Sequence, residues 1–187
     1  MTHSSKPHAS AGDIQNIREA VRTQPELGQM TFQVKARSLG GLAVKVNTGI
    51  SLQAGEEDHT RVDKFSNIGD EPEGILGTDR GMSPTEYTLQ ALAGCYTASL
   101  TLFAAEKGID LDSIEMELYF DIDMNGFLGL NKAVRKGAKA IRAEVKLTSP
   151  TATAEQLDEL VNLLPEISPI HDTLANPVPI TTRRVLA

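Results

Sequence analysis

The sequence predicts an α+β fold with a mainly antiparallel sheet, and two observations support this class. Apolar and polar residues alternate with a period of two in several segments of the 187-residue chain, which is typical of half-buried strands. Two other segments carry strong helix-start signals. The predicted order is helix, two or three strands, long helix, two strands, helix and strand. Because strands and helices do not alternate strictly, an antiparallel sheet is favoured over a parallel one.

The N-terminal segment is polar. Residues 1–11 are rich in Ser and His and contain no apolar stretch, which argues against a signal peptide and predicts a flexible tail. The remaining sequence contains neither a repeat nor a linker, so residues 12–187 are predicted to form one domain. The first helix is predicted over residues 13–26, with Asp13 as its N-cap and apolar residues at helical spacing.

The next segments have the pattern of strands. Residues 32–37 and 42–46 alternate in polarity on either side of the Gly40-Gly41 pair, which predicts a hairpin. Residues 59–65 are predicted as a third strand. Residues 70–82 contain a Pro, three Gly and five charged residues, so they are predicted to form a loop.

A long helix with few charges follows this loop. Ser83 and Glu86 have the spacing of a capping box, and Gly108 predicts that the helix ends near residue 107. Residues 87–105 contain no charged side chain, so this helix needs cover on every face. Its polar residues and the flanking Glu side chains argue against a membrane span. We therefore predict a homodimer, in which a second copy covers the face that one chain leaves open.

The C-terminal part repeats both patterns. Residues 114–123 and 141–148 alternate in polarity and are predicted to be strands. Residues 153–156 form a second capping box, which opens a helix that Pro165 is predicted to end. A final strand is predicted over residues 178–186.

Composition restricts the function. The chain carries 18 Lys and Arg against 25 Asp and Glu, a net charge of −7, and it has no basic block, which argues against nucleic-acid binding. The single cysteine, Cys95, excludes an internal disulfide and any multi-cysteine metal site. A lone reduced thiol fits a cytoplasmic protein. No histidine pair has metal-ligand spacing, and the motifs of nucleotide-binding loops and serine hydrolases are absent. We expect no metal and no cofactor.

Cys95 is the residue that most clearly suggests a chemical function. It lies near the middle of the long helix among small residues, where it is either an inert buried thiol or a reactive one. A reactive thiol needs a cation beside it, and no cation lies within a helical turn in the sequence. His171, next to Asp172, is either an oriented base or a hydrogen-bonded loop residue, and the second interpretation is favoured.

Residues 77–95, Gly-Thr-Asp-Arg-Gly-Met-Ser-Pro-Thr-Glu-Tyr-Thr-Leu-Gln-Ala-Leu-Ala-Gly-Cys, resemble the central segment of OsmC/Ohr-type proteins. In those proteins an Asn-Pro or Ser-Pro cap opens a buried helix that carries a peroxidatic cysteine. The resemblance continues through residues 126–130 and 168–180, and it covers roughly residues 30–187. It implies an intertwined homodimer with two long central helices wrapped by sheets, and two sites at the interface.

The resemblance also implies a chemistry. Family members with a complete site reduce organic hydroperoxides: a first cysteine attacks the peroxide, a second resolves the sulfenate, and an Arg–Glu pair holds the thiolate. Cys95 matches the attacking cysteine, and Ser168 occupies the place of the resolving one. The family's Glu falls on Thr85, and Glu86 lies one residue later. Candidates for the Arg are Arg61, which is the first choice, then Arg80 and Lys64.

Two functions follow as expectations. The first is a thiol-dependent peroxidase that acts on a small organic hydroperoxide through Cys95, with Ser168, Arg61 and Glu86 in its site and an external thiol as reductant. The alternative is a non-enzymatic protein that binds an apolar or acyl ligand in the dimer-interface pocket. The apolar run at residues 127–130 is either a packed loop or a lid over that pocket. The cations that follow it fit a solvated face better than an anion site.

Overall fold

The computed structural model describes residues 6–186 and has an α+β fold with antiparallel sheets. The helices are α1 Ala11–Thr23, α2 Pro84–Glu106, α3 Met124–Phe127, α4 Ala154–Asn162, α5 Leu164–Ile167 and α6 Pro169–Ala175. The strands are β1 Met30–Ser38, β2 Val44–Gln53, β3 Glu56–Asp58, β4 Ser66–Gly69, β5 Ser113–Asp121 and β6 Ala140–Thr148. Short 3₁₀ helices cover Pro25–Gly28 and Glu73–Ile75. The predicted fold class is confirmed.

The larger sheet is built around the predicted hairpin. Strands β1 and β2 pair antiparallel, and β2 also pairs with β3 near one end and with β4 near the other. Gly40 and Gly41 turn the chain between β1 and β2 with φ angles of +91° and +57°, which residues with a Cβ rarely adopt. The smaller sheet pairs β5 with β6. Asp112 N donates to Thr148 O at 2.8 Å and Lys139 N donates to Asp121 O at 2.7 Å, so these two strands also run antiparallel.

The strand predicted at residues 59–65 is wrong, because this segment forms turns between β3 and β4. Val62 N donates to His59 O and Lys64 N donates to Arg61 O, both at 3.1 Å, which is the pattern of consecutive turns, while Asp63 N donates to Thr48 O of β2 at 2.9 Å. Asp63 adopts a φ of +55°, which an extended strand does not allow. The residues that connect β3 to β4 therefore have turn geometry rather than strand geometry.

The final strand predicted at residues 178–186 is also wrong. The described chain has no strand there, and helix α6 forms just before it. Ser168 caps α6, since its side chain accepts a hydrogen bond from His171 N. Pro177 and Pro179 lack backbone donors, which weakens any strand pairing in the segment that follows α6.

Two helix boundaries differ from prediction. Ser10, rather than Asp13, caps α1, because the Ser10 side chain accepts from Asp13 N at 3.2 Å. Helix α4 ends at Asn162, before Pro165. Pro165 lies in the first turn of α5, where its missing N–H costs no hydrogen bond. Strand β2 also extends to Gln53, seven residues beyond the end of the predicted strand 42–46, and the other boundaries of the predicted elements that formed agree to within a few residues.

The described residues divide into two compact units. The first unit contains residues 6–9, 91–118 and 143–186, and the second contains residues 10–90 and 119–142. The buried apolar side chains of the first unit are Leu92, Tyr96, Leu100, Ala104, Leu111, Leu160 and Leu164. Of the predicted tail, residues 1–5 lie outside the described residues. The flexible tail and the single domain stay predictions.

No helix among the described residues is long and apolar enough to cross a membrane. Helix α2 falls short of this because polar residues interrupt its chargeless stretch. Its two faces also differ in exposure. Leu92, Tyr96 and Leu100 are buried, whereas Ala91, Gly94 and Ala98 are exposed. The described chain therefore covers only one face of this helix.

The loop before α2 is organised by one buried carboxylate. The side chain of Asp70 accepts hydrogen bonds from Thr78 Oγ1 at 2.6 Å, from Glu71 N at 2.9 Å and from Arg80 N at 3.3 Å. These bonds, the one from the Thr78 hydroxyl above all, lower the pKa of Asp70 to about 2. Asp70 thereby joins the end of β4 to the residues that precede the α2 cap.

Replacing Asp70 by Asn is expected to lower the thermal unfolding midpoint at pH 7 by about 5 °C, because an amide cannot accept all of these hydrogen bonds. The pKa of Asp70 is lower in the folded chain than in the unfolded one, so its contribution is fully present above pH 3.8 and is lost as the pH falls toward 2. Melting curves from pH 2 to 7 should show the native protein and Asp70→Asn converging in acid. Asp79→Asn, an exposed change in the same loop, is the control, and equal melting of the two variants at pH 7 contradicts the prediction.

Candidate functional site

The start of α2 is fixed by a reciprocal cap. Glu86 accepts hydrogen bonds from Ser83 N at 2.6 Å and from Ser83 Oγ at 2.8 Å, while Ser83 Oγ accepts from Glu86 N at 3.3 Å. The predicted capping box is therefore present. The bond from Ser83 N contributes most to lowering the pKa of Glu86. The Glu86 carboxylate thus serves the N-terminus of the helix.

Cys95 is a free, half-buried thiol in the middle of α2. Ser168 Oγ donates a hydrogen bond to Cys95 Sγ at 3.1 Å. Ser168 is only 2 % exposed, and its Oγ also accepts from His171 N at 3.3 Å as the cap of α6. The structure therefore brings together the two residues that the sequence assigned to the attacking cysteine and to the replaced resolving cysteine.

Two further contacts join α2 to the C-terminal helices, and neither was predicted from the sequence. The Tyr96 hydroxyl and His171 Nδ1 are 2.6 Å apart, and the two rings are stacked with centroids separated by 6.0 Å. Ser99 Oγ donates to Ile167 O at 3.4 Å. The sequence does contain a hint of the Tyr96–His171 contact, because Tyr96 is one residue after Cys95 and His171 is three residues after Ser168. This hint was overlooked because helix α6 was not predicted and His171 was assigned to a loop.

Burial raises the pKa of the Tyr96 phenol, and the nearby Cys95 adds to this effect in its anionic form. Tyr96 is only 6 % exposed. Its hydroxyl therefore keeps its proton at neutral pH and shares a hydrogen bond with His171 Nδ1, in which the imidazole tautomer decides which group donates.

The candidate cations have partners of their own in the second unit. The Arg61 guanidinium lies over the Phe65 ring at 5.1 Å, and Lys64 Nζ lies 5.7 Å from the same ring. Arg80 Nε lies 3.7 Å from Asp70 Oδ2. Cys95 and Ser168 belong to the first unit. Within residues 6–186, no group of three or more His, Cys, Asp and Glu side chains is arranged to hold a metal ion.

These observations define the class of this protein. It has an α+β fold with antiparallel sheets, a capped helix that carries a half-buried free thiol, and a serine from a C-terminal helix hydrogen-bonded to that thiol. Residues 77–183 match the family model described as OsmC-like protein. Since this match spans more than half of the chain, the chain belongs to the OsmC-like family.

Solved structures of similar fold agree with this assignment. An OsmC-like protein from Mycoplasma pneumoniae is 19% identical with a TM-score of 0.60, and the match covers 79% of this chain and 89% of that one. A protein from Legionella pneumophila described as an organic hydroperoxide resistance protein OsmC is 16% identical with a TM-score of 0.50, covering 77% and 88%. An OsmC-like protein of unknown function from Vibrio cholerae is 15% identical with a TM-score of 0.50, covering 78% and 92%. No curated protein matches the chain.

Proposed function

We propose that this protein is a thiol-dependent peroxidase that reduces small organic hydroperoxides through Cys95 and is recycled by an external thiol. The observation that carries the proposal is the hydrogen bond from Ser168 Oγ to Cys95 Sγ at 3.1 Å. A hydroxyl that donates to sulfur stabilises a thiolate over a thiol. It also places a group beside the sulfur that cannot close a disulfide. A reducing compartment such as the cytoplasm fits a protein with one cysteine.

The proposed cycle balances without a second cysteine. The Cys95 thiolate attacks the terminal oxygen of the hydroperoxide, so that an S–O bond forms, the O–O bond breaks and the alkoxide takes a proton to leave as an alcohol. An external thiol then attacks the sulfenic sulfur, which releases water and leaves a mixed disulfide. A second external thiol restores the Cys95 thiol and leaves as the external disulfide. One hydroperoxide is reduced for every two external thiols oxidised.

The proposed active unit is a homodimer. Every residue of β1 is exposed in the single chain, including Phe32 at 73% and Val34 at 63%, although strands of this apolar pattern normally bury one face. The exposed face of α2, which contains Ala91, Gly94 and Ala98, is a second apolar surface that is unfavourable to leave in contact with water. A second copy of the chain is the proposed cover for both. We assign the cation for Cys95 to Arg61, an exposed residue, and we assign Glu86 to positioning the start of α2.

Mass spectrometry of Cys95 after a substoichiometric dose of cumene hydroperoxide tests this function. Without added thiol we expect one oxygen atom on Cys95, and with glutathione we expect a mixed disulfide followed by return to the reduced protein. Ser168→Ala is expected to slow the oxidation about fivefold, because it removes the donor to sulfur. Arg61→Ala is expected to slow it about tenfold. Arg80→Ala tests the second candidate, and a smaller effect is expected because Arg80 faces Asp70.

The alternative, a protein that binds an apolar or acyl ligand without chemistry, predicts a different outcome. In that case Cys95 reacts with the hydroperoxide no faster than a small-molecule thiol, and none of the three variants changes its rate. An apolar ligand would slow the reaction further by covering the thiol. This result would reject the peroxidase function and favour ligand binding in the expected dimer-interface pocket.

A further inference from the structure

We infer that Tyr96 and His171 are positioning residues, which hold Ser168 at hydrogen-bonding distance from Cys95. The effect of this positioning on peroxide reduction rests on the proposed function, whereas the positioning itself does not. The two elements involved are α2, which carries the thiol, and the first turn of α6, which the serine caps.

The Tyr96–His171 contact joins the same two elements as the Ser168–Cys95 bond. Tyr96 is the next residue after Cys95, and His171 is three residues after Ser168, on the first turn of the helix that Ser168 caps. Their polar atoms are 2.6 Å apart, their rings are stacked at an interplanar angle of 21°, and the Tyr96 side chain is buried. A short hydrogen bond between rings of limited rotamer freedom restrains the separation of the two helices.

Ser168 is held on its other side as well. Ser99 Oγ donates to Ile167 O at 3.4 Å, so α2 contacts the residue before Ser168 and the residue three positions after it. Of these two restraints, the Tyr96–His171 hydrogen bond is the shorter. We therefore assign it the larger share in placing Ser168.

The restraint also directs the Ser168 proton. His171 N donates to Ser168 Oγ at 3.3 Å, and Ser168 Oγ donates to Cys95 Sγ at 3.1 Å. Because the backbone N–H occupies one acceptor position of the hydroxyl, the hydroxyl proton is free to point at the sulfur. If His171 moved away from Tyr96, the first turn of α6 would shift and this chain of two hydrogen bonds would lengthen.

The test measures the rate at which a disulfide forms between residues 95 and 168. In the Ser168→Cys variant, the rate at which diamide closes a disulfide between the two thiols reports their approach. Adding Tyr96→Phe, which keeps the ring and removes the hydroxyl, is expected to slow closure about fivefold to tenfold. Adding His171→Leu should slow it similarly, whereas His171→Gln, whose amide can both donate and accept, should stay within about twofold of the starting rate.

Tyr87→Phe is the matched control, because it removes a tyrosine hydroxyl from the same helix, where it donates to Ile68 O at 2.9 Å. Its closure rate should equal that of Ser168→Cys alone. Equal closure rates in the Tyr96→Phe, His171→Leu and control variants overturn the inference. If Tyr96→Phe does not fold, the His171→Leu and His171→Gln pair decides it, since only a positioning role predicts rescue by Gln.

This readout uses no hydroperoxide, so it separates the inference from the proposed function. If Cys95 does not react with hydroperoxide, the expected rates of disulfide closure in these variants are unchanged. If positioning matters for the chemistry, Tyr96→Phe in the native Ser168 background should also slow oxidation of Cys95 by cumene hydroperoxide about fivefold. An unchanged oxidation rate together with slowed closure would overturn the chemical consequence and keep the positioning role.

Discussion

Replacing Ser168 by Cys is expected to convert this chain into one that forms an internal disulfide almost completely under mild oxidation. Ser168 Oγ already lies 3.1 Å from Cys95 Sγ, and the Ser168 side chain is buried against it. A disulfide needs a sulfur–sulfur distance of about 2.05 Å, which a small change in the two side-chain torsions supplies. Non-reducing peptide mapping should find one peptide pair, and the count of free thiols should fall from two to none.

The matched control is Thr173→Cys, which introduces a thiol at an exposed position on the same helix, α6. Thr173 lies more than a helical turn beyond Ser168, so its thiol should stay free under the same oxidant. A Ser168→Cys protein that keeps both thiols reduced contradicts the placement of α6 against α2. The disulfide would also supply the resolving step that the native chain lacks, so peroxide reduction by this variant should no longer stop at sulfenic acid.

Replacing Gly94 by Leu is expected to dissociate the proposed homodimer. Gly94 lies on the exposed face of α2, and a Cβ built there meets no atom within 4 Å in the single chain. If α2 packs against a second copy, the larger side chain is inserted twice by symmetry, and the dissociation constant should rise about 100-fold. Sedimentation at micromolar concentration should give about twice the 20.1 kDa chain mass for the native protein and about one chain mass for Gly94→Leu.

Ala154→Leu, at the exposed first residue of α4, is the control for a small-to-large change outside α2. It should sediment like the native protein. A native protein that sediments as a single chain, or a Gly94→Leu variant that remains a dimer, argues against this interface. In a monomer, Gly94→Ala should instead stabilise the helix by about 1 kcal/mol, because alanine is the better helix former. In the dimer, the same change should be neutral or destabilising.

Short-range signals account for the elements that the sequence predicted well. The capping boxes of α2 and α4 join residues three positions apart, so both helix starts could be read directly from Ser83, Glu86, Thr153 and Gln156. The alternation of β5 and β6 extends over nine residues in each strand, which is long enough to be unambiguous. Of the two segments predicted wrongly, residues 59–65 are short, and residues 178–186 contain Pro179 and directly follow Pro177. The polarity pattern does not decide the backbone conformation of either segment.

The sequence by itself determined the fold class, the start and end of α2, and the position of Cys95 on that helix, because local hydrogen bonds and periodicity set all three. The family resemblance placed Ser168 in the site, but only the tertiary structure showed its hydrogen bond to the thiol and the residues that support it. The bonds from Ser168 to Cys95 and between Tyr96 and His171 span 73 and 75 residues of chain. Contacts of this range depend on how separate elements pack, and no local pattern in one sequence encodes them. This is the physical reason why Cys95 could be named as the candidate thiol from the sequence, while the roles of Tyr96 and His171 required the structure.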